Sequence, residues 1–198
     1  MTPNLPTDHE APGWGGDFLD WLQLFRWPQQ VRSGFYLSSG GASGSGGLTQ
    51  NRLWLAPIVV PSTITVIEAN VNVVTAAASN VLRAGIYTDD GNGAPASLVL
   101  EFGATFDAST TGTKTQAISQ VLTAGVYWVG GSNQGAATAS YTSVAQIPAY
   151  LFVTSGAATN PTPRAYFQDS VSGALPSTFT FSLANTASIC PLVTLKVQ

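Results

Sequence analysis

The stretch of this sequence with the most chemical potential is Asp89-Asp90-Gly91-Asn92-Gly93. Carboxylates beside glycines could hold Ca²⁺, which takes six to eight oxygen ligands. Two adjacent acids, however, point in different directions, and the next acid, Glu101, lies ten residues beyond Gly91. Asp-Gly and Asn-Gly pairs tolerate the positive φ of a tight reversal, and Pro95 favours a following strand. We therefore predict a polar turn between two strands, with cation binding as the alternative.

Other catalytic arrangements lack their residues. The only histidine, His9, lies in a Pro-rich N-terminal stretch, so Ser-His-Asp chemistry has no base in the folded region. A glycosidase needs two opposed carboxylates, and nothing in the sequence pairs the available acids. These are Glu68, Asp89, Asp90, Glu101, Asp107 and Asp169. The glycine-rich residues 39–47 lack the lysine and the following helix of a phosphate-binding loop. We predict no catalytic residue, cofactor or metal, and a buried structural thiol at the single cysteine, Cys190.

Aromatic side chains on strands could form a sugar-binding platform, because their rings stack on the apolar faces of pyranoses. The candidate glycan contacts are Trp128, Tyr141, Tyr150 and Tyr166. Most strand aromatics instead pack in a core or an interface. Core packing is the interpretation that the sequence favours for these four residues.

The N-terminal segment, residues 1–37, has a different character from the rest of the chain. Within it, "DFLDWLQLFRWP" predicts a short helix over about 17–27, because Asp17 can cap it and Pro28 stops it. Its apolar side chains leave little polar surface. We predict that it anchors the protein to a partner through Phe18, Leu19, Trp21, Leu22, Phe25 and Trp27. The alternative is packing on its own domain. Residues 38–47, "SSGGASGSGG", predict a flexible linker.

From residue 48 to residue 198 the pattern is typical of strands. "TITVIEANVNVVTA" alternates Ile67, Ala69, Val71 and Val73 against polar neighbours, and about ten such short apolar runs follow one another. Pro57 interrupts one run and predicts an edge or a bend there. The fold class that this pattern favours is all-β, an antiparallel β-sandwich that is jelly-roll-like.

The composition narrows the choice of partners. Charged residues make up 9% of the chain and the net charge is −3, which argues against binding to nucleic acid. A surface with so few charges favours contacts with other subunits, so we predict a homo-oligomer. No run approaches the ~18 apolar residues of a membrane span, and we predict no membrane insertion.

One block of the sequence resembles a known module. Residues 81–131 resemble a module of tail-associated and other virion structural proteins of double-stranded DNA bacteriophages. The matching residues are Arg83, Gly85, Ile86, Tyr87, Gly93, Pro95, Leu98, Val99, Leu100, Leu122, Gly125, Tyr127 and Trp128. The resemblance implies a non-catalytic β-sandwich, often trimeric, that assembles in the bacterial cytoplasm and is displayed on the virion. On its strand, Arg83 is expected to pair with Asp107 or Glu101.

These observations together predict a virion structural protein. The leading expectation is a minor tail protein near the tail tip, docked to other virion proteins by its N-terminal segment and displaying its sandwich towards the host surface. A capsid decoration or head fibre protein is the first alternative. A carbohydrate-binding module for host cell-wall glycans is the second, and a wall-degrading enzyme the third.

Overall fold

Two antiparallel β-sheets form the described part of the protein, as the period-two patterns predict. A computed structural model describes residues 31–103, 105–135, 138–144, 165–182, 185–187 and 189–198. These residues belong to one compact unit, Val31–Gln198. The all-β class and the antiparallel sandwich are therefore confirmed for this unit. The predicted helix at 17–27 lies outside the described residues.

The first sheet, sheet A, has six strands in the described residues. They are β1 (Tyr36–Ser38), β2 (Ala42–Gly47), β4 (Ile64–Thr75), β8 (Gly112–Leu122), β10 (Ser140–Val144) and β13 (Thr194–Val197). Strand β4 is its centre, because β8 pairs along one side while β13 and β10 pair in succession along the other. Strand β1 extends the sheet beyond β13, and β2 extends it beyond β10.

The second sheet, sheet B, has seven strands in the described residues. They are β3 (Leu53–Val60), β5 (Val81–Asp89), β6 (Pro95–Glu101), β7 (Phe106–Asp107), β9 (Gly125–Gln134), β11 (Ala165–Gln168) and β12 (Thr186–Ala187). The order is β12-β11-β3-β9-β5-β6, and β7 pairs with β5 next to β6. In the described residues, β11 pairs with β3 at Leu53–Leu55, and Pro57 pairs with Trp128 of β9 on the opposite side of β3. The edge or bend expected at Pro57 stays a prediction.

The main core lies between the two sheets. Sheet A contributes Val66, Ala69, Val71, Val73 and Leu195, and sheet B contributes Ala56, Ile58, Leu82, Ile86 and Val129. A hydrogen bond crosses this core, since the Tyr141 hydroxyl donates to Asn133 Oδ1 over 2.7 Å. Cys190 is buried here, as predicted, and burial raises the pKa of its thiol.

A second apolar layer covers the outer face of sheet B. Its lid is the segment 169–182, which we call the strap. Strap residues Val171, Leu175 and Phe179 pack on strand residues that point away from sheet A: Leu53, Leu55, Tyr87, Trp128 and Tyr166. The backbone of the strap also pairs with β6, because Leu98 N donates to Ser177 O and Phe179 N donates to Ala96 O. Sheet B is therefore buried on both faces where the strap covers it.

The predicted alternation of β4 is correct over part of its length. Ala69, Val71 and Val73 are buried, but Ile67 is only half-buried. The pairing register of β4 shifts between Val66 and Glu68. A shift of one residue moves a side chain to the opposite face of the sheet, which explains why Val66 is buried in place of Ile67.

The structure differs from the prediction of a linker over residues 38–47. Residues 42–47 form β2, which pairs with β10, and the compact unit begins at Val31, well before residue 48. The glycines here permit close packing. A Cβ on Gly46 would lie 2.9 Å from the Ile189 side chain, and one on Gly47 would lie 3.0 Å from Thr138. Composition alone does not distinguish this use of glycine from chain flexibility.

Candidate functional site

The acidic loop is a turn held by its own carboxylates. It joins β5 to β6, and Asp89 pairs with Pro95 across the hairpin. Asp89 Oδ1 accepts a hydrogen bond from Gly91 N at 2.7 Å, while Asp90 Oδ1 accepts from Asn92 N at 2.7 Å and Ala94 N at 3.1 Å. Gly91 has a φ of 84°, a conformation that glycine adopts without strain. The predicted polar turn is confirmed.

The second oxygen of Asp89 has a separate structural partner. Asp89 Oδ2 accepts a hydrogen bond from the indole Nε1 of Trp128 at 2.8 Å. Three of the four carboxylate oxygens of Asp89 and Asp90 thus accept hydrogen bonds from the protein itself. In the described part of the chain, no three His, Cys, Asp or Glu side chains group closely enough to hold a metal ion. The Asp89 carboxylate therefore serves to hold the indole of Trp128 in place.

Arg83 pairs with Glu101, one of its two predicted partners. Arg83 Nη1 donates to Glu101 Oε1, and Glu101 Oε2 accepts from the backbone of strap residue Leu175 at 3.0 Å. The other candidate, Asp107, accepts from Ser109 N at 2.8 Å, and its hydrogen bonds with Ser109 lower the pKa of the carboxyl. The ion pair therefore holds the middle of the strap, at Leu175.

Several residues of the 81–131 block, among them Gly85, Tyr87 and Trp128, lie beneath the strap. The Tyr87 hydroxyl donates to Pro176 O at 2.8 Å, and burial raises the pKa of this phenol. At Gly85 a Cβ would lie 2.6 Å from Leu100 O and 2.8 Å from Leu175 Cδ1, so only glycine fits. These residues of the block support the strap.

Core packing, the favoured interpretation of the four candidate glycan contacts, is confirmed at three positions, and glycan contact is wrong there. Trp128 and Tyr141 are fully buried, and Tyr166 is 4% exposed. Trp128 and Tyr166 pack against each other beneath the strap, with ring centroids 5.3 Å apart, while Tyr141 points into the main core. None of these three rings can stack on a sugar. Tyr150 lies outside the described residues, as do the predicted anchor residues Phe18, Leu19, Trp21, Leu22, Phe25 and Trp27.

The outer face of sheet A carries a different group of side chains. A shallow groove of about 410 Å³ is lined by Tyr36, Glu68, Asn70, Thr113, Thr115 and Thr194. The strand register brings them together. Lys196 pairs with Tyr36 on one side and with Glu68 on the other, and the next row places Thr194, Asn70 and Thr115 side by side. We call this feature the sheet A groove.

Hydrogen bonds order the polar groups of the sheet A groove. Glu68 Oε1 accepts from Asn70 Nδ2 at 2.9 Å and from the Tyr36 hydroxyl at 3.3 Å, and Thr115 donates to Asn70 Oδ1. Lys196 Nζ lies 3.7 Å from Glu68 Oε2. The hydrogen bond from Asn70, and with it the charge of Lys196, lowers the pKa of Glu68. At neutral pH the groove therefore holds an oriented carboxylate.

The sequence did not predict the residues that line the sheet A groove. The alternation of β4 correctly gave Glu68 and Asn70 as outward-facing, but Tyr36 was assigned to the N-terminal segment and Thr194 to another strand. In the run Gly112–Leu122 exposed side chains alternate with half-buried ones, but Thr113, Lys114, Thr115 and Gln116 are all polar, so the sequence gives no sign of this. Pairing partners, which decide the neighbours on a sheet face, are long-range information.

No protein-family model matches this sequence, and no curated protein is significantly similar to it. The resemblance to the phage module therefore depends on residues 81–131 alone and stays a prediction.

The described part of the chain has no helix with the length and hydropathy that crossing a membrane requires.

Proposed function

We propose that this protein is a non-catalytic structural protein of a bacteriophage virion. In this proposal it is a minor tail protein near the tail tip, and its N-terminal segment docks on another virion protein. The described unit is then a jelly-roll-like sandwich displayed on the particle, as a homotrimer. The observation that carries the non-catalytic part is the acidic loop, whose carboxylates bind backbone amides and Trp128.

The surface of the described unit supports a role in assembly. Phe35 is 61% exposed and Val121 57% exposed, and both are large apolar side chains. With only 17 charged residues in the whole chain, 7 basic and 10 acidic, few charges oppose contact between subunits. Such surfaces are typical of proteins that bury part of their exterior in a complex.

The first experiment tests the anchor. A deletion of residues 1–30 spares β1, which begins at Tyr36, so the sandwich should still fold. We expect the truncated chain to be lost from purified phage particles while it remains soluble in the infected cell. Gln23→Ala, a polar change in the same segment, is the matched control and should leave the copy number unchanged. Normal incorporation of the truncated chain would refute the anchor, and absence of the intact chain from particles would refute the virion proposal.

The second experiment determines whether the protein is located on the head or on the tail of the particle. Separated heads and tails are probed with an antibody raised against residues 31–198. We expect the signal in the tail fraction, and immunogold labelling at the tip. A signal confined to heads would replace the tail assignment with the capsid decoration or head fibre alternative.

A further inference from the structure

The sheet A groove is more ordered than an exposed sheet face requires. We propose that it binds a neutral saccharide, with the ring of Tyr36 against one face of a sugar and with Glu68 and the threonines bound to its hydroxyls. This inference concerns the isolated protein and does not depend on its place on a virion.

Tyr36 supplies the aromatic surface. Its side chain is 50% exposed, and its hydroxyl is held by Glu68 Oε1. The Lys196 ammonium lies 6.0 Å from the ring centroid, which restrains the ring further. An aromatic ring that is both exposed and oriented binds a ligand with little further loss of side-chain entropy.

The polar groups match the hydroxyls of a sugar. A sugar hydroxyl both donates and accepts hydrogen bonds, and so do threonine hydroxyls, while the Glu68 carboxylate accepts. Among the described residues, Thr113 and Thr194 make no side-chain hydrogen bond of their own. Their hydroxyls are therefore available to a ligand that enters the groove.

The charge of the groove favours a neutral ligand. Lys196 offsets Glu68 at 3.7 Å, and the other lining residues are uncharged at neutral pH. Phosphate and carboxylate ligands are usually bound by arginine or by clusters of basic residues, and none lines this groove. The four strands β1, β13, β4 and β8 span about 14 Å at the usual inter-strand spacing, which leaves room for a short oligosaccharide across the strands.

The test uses the full chain and four tetrasaccharides. Chitotetraose, cellotetraose and maltotetraose are the neutral probes, and tetragalacturonate is the charged comparator. Binding is followed by isothermal titration calorimetry and by amide chemical shifts of β1, β4, β8 and β13. We expect saturable binding of at least one neutral probe, weakened about fivefold to tenfold by Tyr36→Ala, in keeping with the loss of one ring contact. Thr115→Val, which keeps the side-chain shape, should weaken it about threefold or more.

Phe35→Ala is the matched control, because Phe35 is the exposed neighbour of Tyr36 and does not line the groove. It should leave binding unchanged. Thermal unfolding checks that each variant is folded. If Tyr36→Ala is not folded, the binding measured for Thr115→Val tests the proposal. The proposal is overturned if no neutral probe binds, if tetragalacturonate binds more tightly than all of them, or if binding survives the folded groove variants.

Discussion

The outer faces of the two sheets have opposite properties. Sheet B points large rings such as Tyr87 and Trp128 outward and covers them with the strap, whereas sheet A points Tyr36 and Thr115 outward and leaves them accessible. Both faces arise from the same alternation of side chains along a strand. Whether a face becomes core or contact surface depends on the residues at alternate positions and on whether another segment of the chain covers them.

The largest loss of stability is expected when a large ring is removed from the outer face of sheet B, beneath the strap. Trp128→Ala should lower the free energy of unfolding by about 3–5 kcal/mol, because it leaves a cavity under the strap and removes the partner of Asp89. Val121→Ala, an apolar truncation on the outer face of sheet A, should change it by less than about 0.5 kcal/mol. Denaturant unfolding measures both. Equal losses would mean that the two faces do not differ as described.

A smaller effect is expected when one carbon is added under the strap. Gly85→Ala should lower the free energy of unfolding by about 1–3 kcal/mol, since the new Cβ meets Leu100 O and Leu175 Cδ1. The amide of Leu175 should exchange faster with solvent. Gly41→Ala, where a Cβ would meet nothing within 4 Å, is the control and should stay within about 0.5 kcal/mol of the parent. An unaffected Leu175 amide would show that Gly85 does not position the strap.

A third change tests the middle of the strap, which Glu101 holds at Leu175. Glu101→Gln removes the charge that pairs with Arg83 and weakens the acceptor for Leu175 N, and we expect a loss of about 1–2 kcal/mol with earlier cleavage in limited proteolysis of 169–182. Asp169→Asn removes an ion pair with Arg52 in which the acid is 53% exposed, and it should cost about 0–1 kcal/mol. The reverse order would indicate that Glu101 is dispensable.

The smallest effect is expected from Glu68 on the outer face of sheet A when the pH is lowered. The pKa of Glu68 is lowered in the folded protein, so its contribution to stability is complete above the unfolded-state pKa and disappears as the pH falls through the folded value. Asn70→Ala should raise the Glu68 pKa towards its ordinary value, because the hydrogen bond from Asn70 is the largest cause of the shift. A carbon-detected NMR titration of the Glu68 carboxyl measures this. An unchanged pKa in the variant would remove Asn70 as the cause.

Local sequence patterns predicted the strands and turns themselves, but they did not predict which strands are neighbours or in which register they pair. The alternation over β4 and the Asp-Gly and Asn-Gly turn were correct because each depends on neighbouring residues only. Burial of Val66 in place of Ile67 depends on the register with β8 and β13, and this register is set by distant residues. The sequence carries no local sign of such a shift.

The sites depended still more on long-range contacts. The four aromatic residues proposed for sugar contact were chosen by type, and three are buried because the strap and the opposite sheet cover them. Tyr36 was overlooked because it precedes a glycine-rich run that was interpreted as a linker. The strand β2 formed by that run, and the neighbours of Tyr36 across β13, follow only from pairing.

The pairing of β1 with β13 has a mechanical consequence. Gly34 N donates to Val197 O, so residue 31 and residue 198 emerge at the same end of an antiparallel pair. Tension between these two residues would unzip the pair one hydrogen bond at a time, beginning beside Tyr36. A sugar bound to the Tyr36 ring, as proposed above, would be released at low force, before the two sheets separate. An optical-trap pull between the two residues should show this early, separate step, and a single rupture would exclude it.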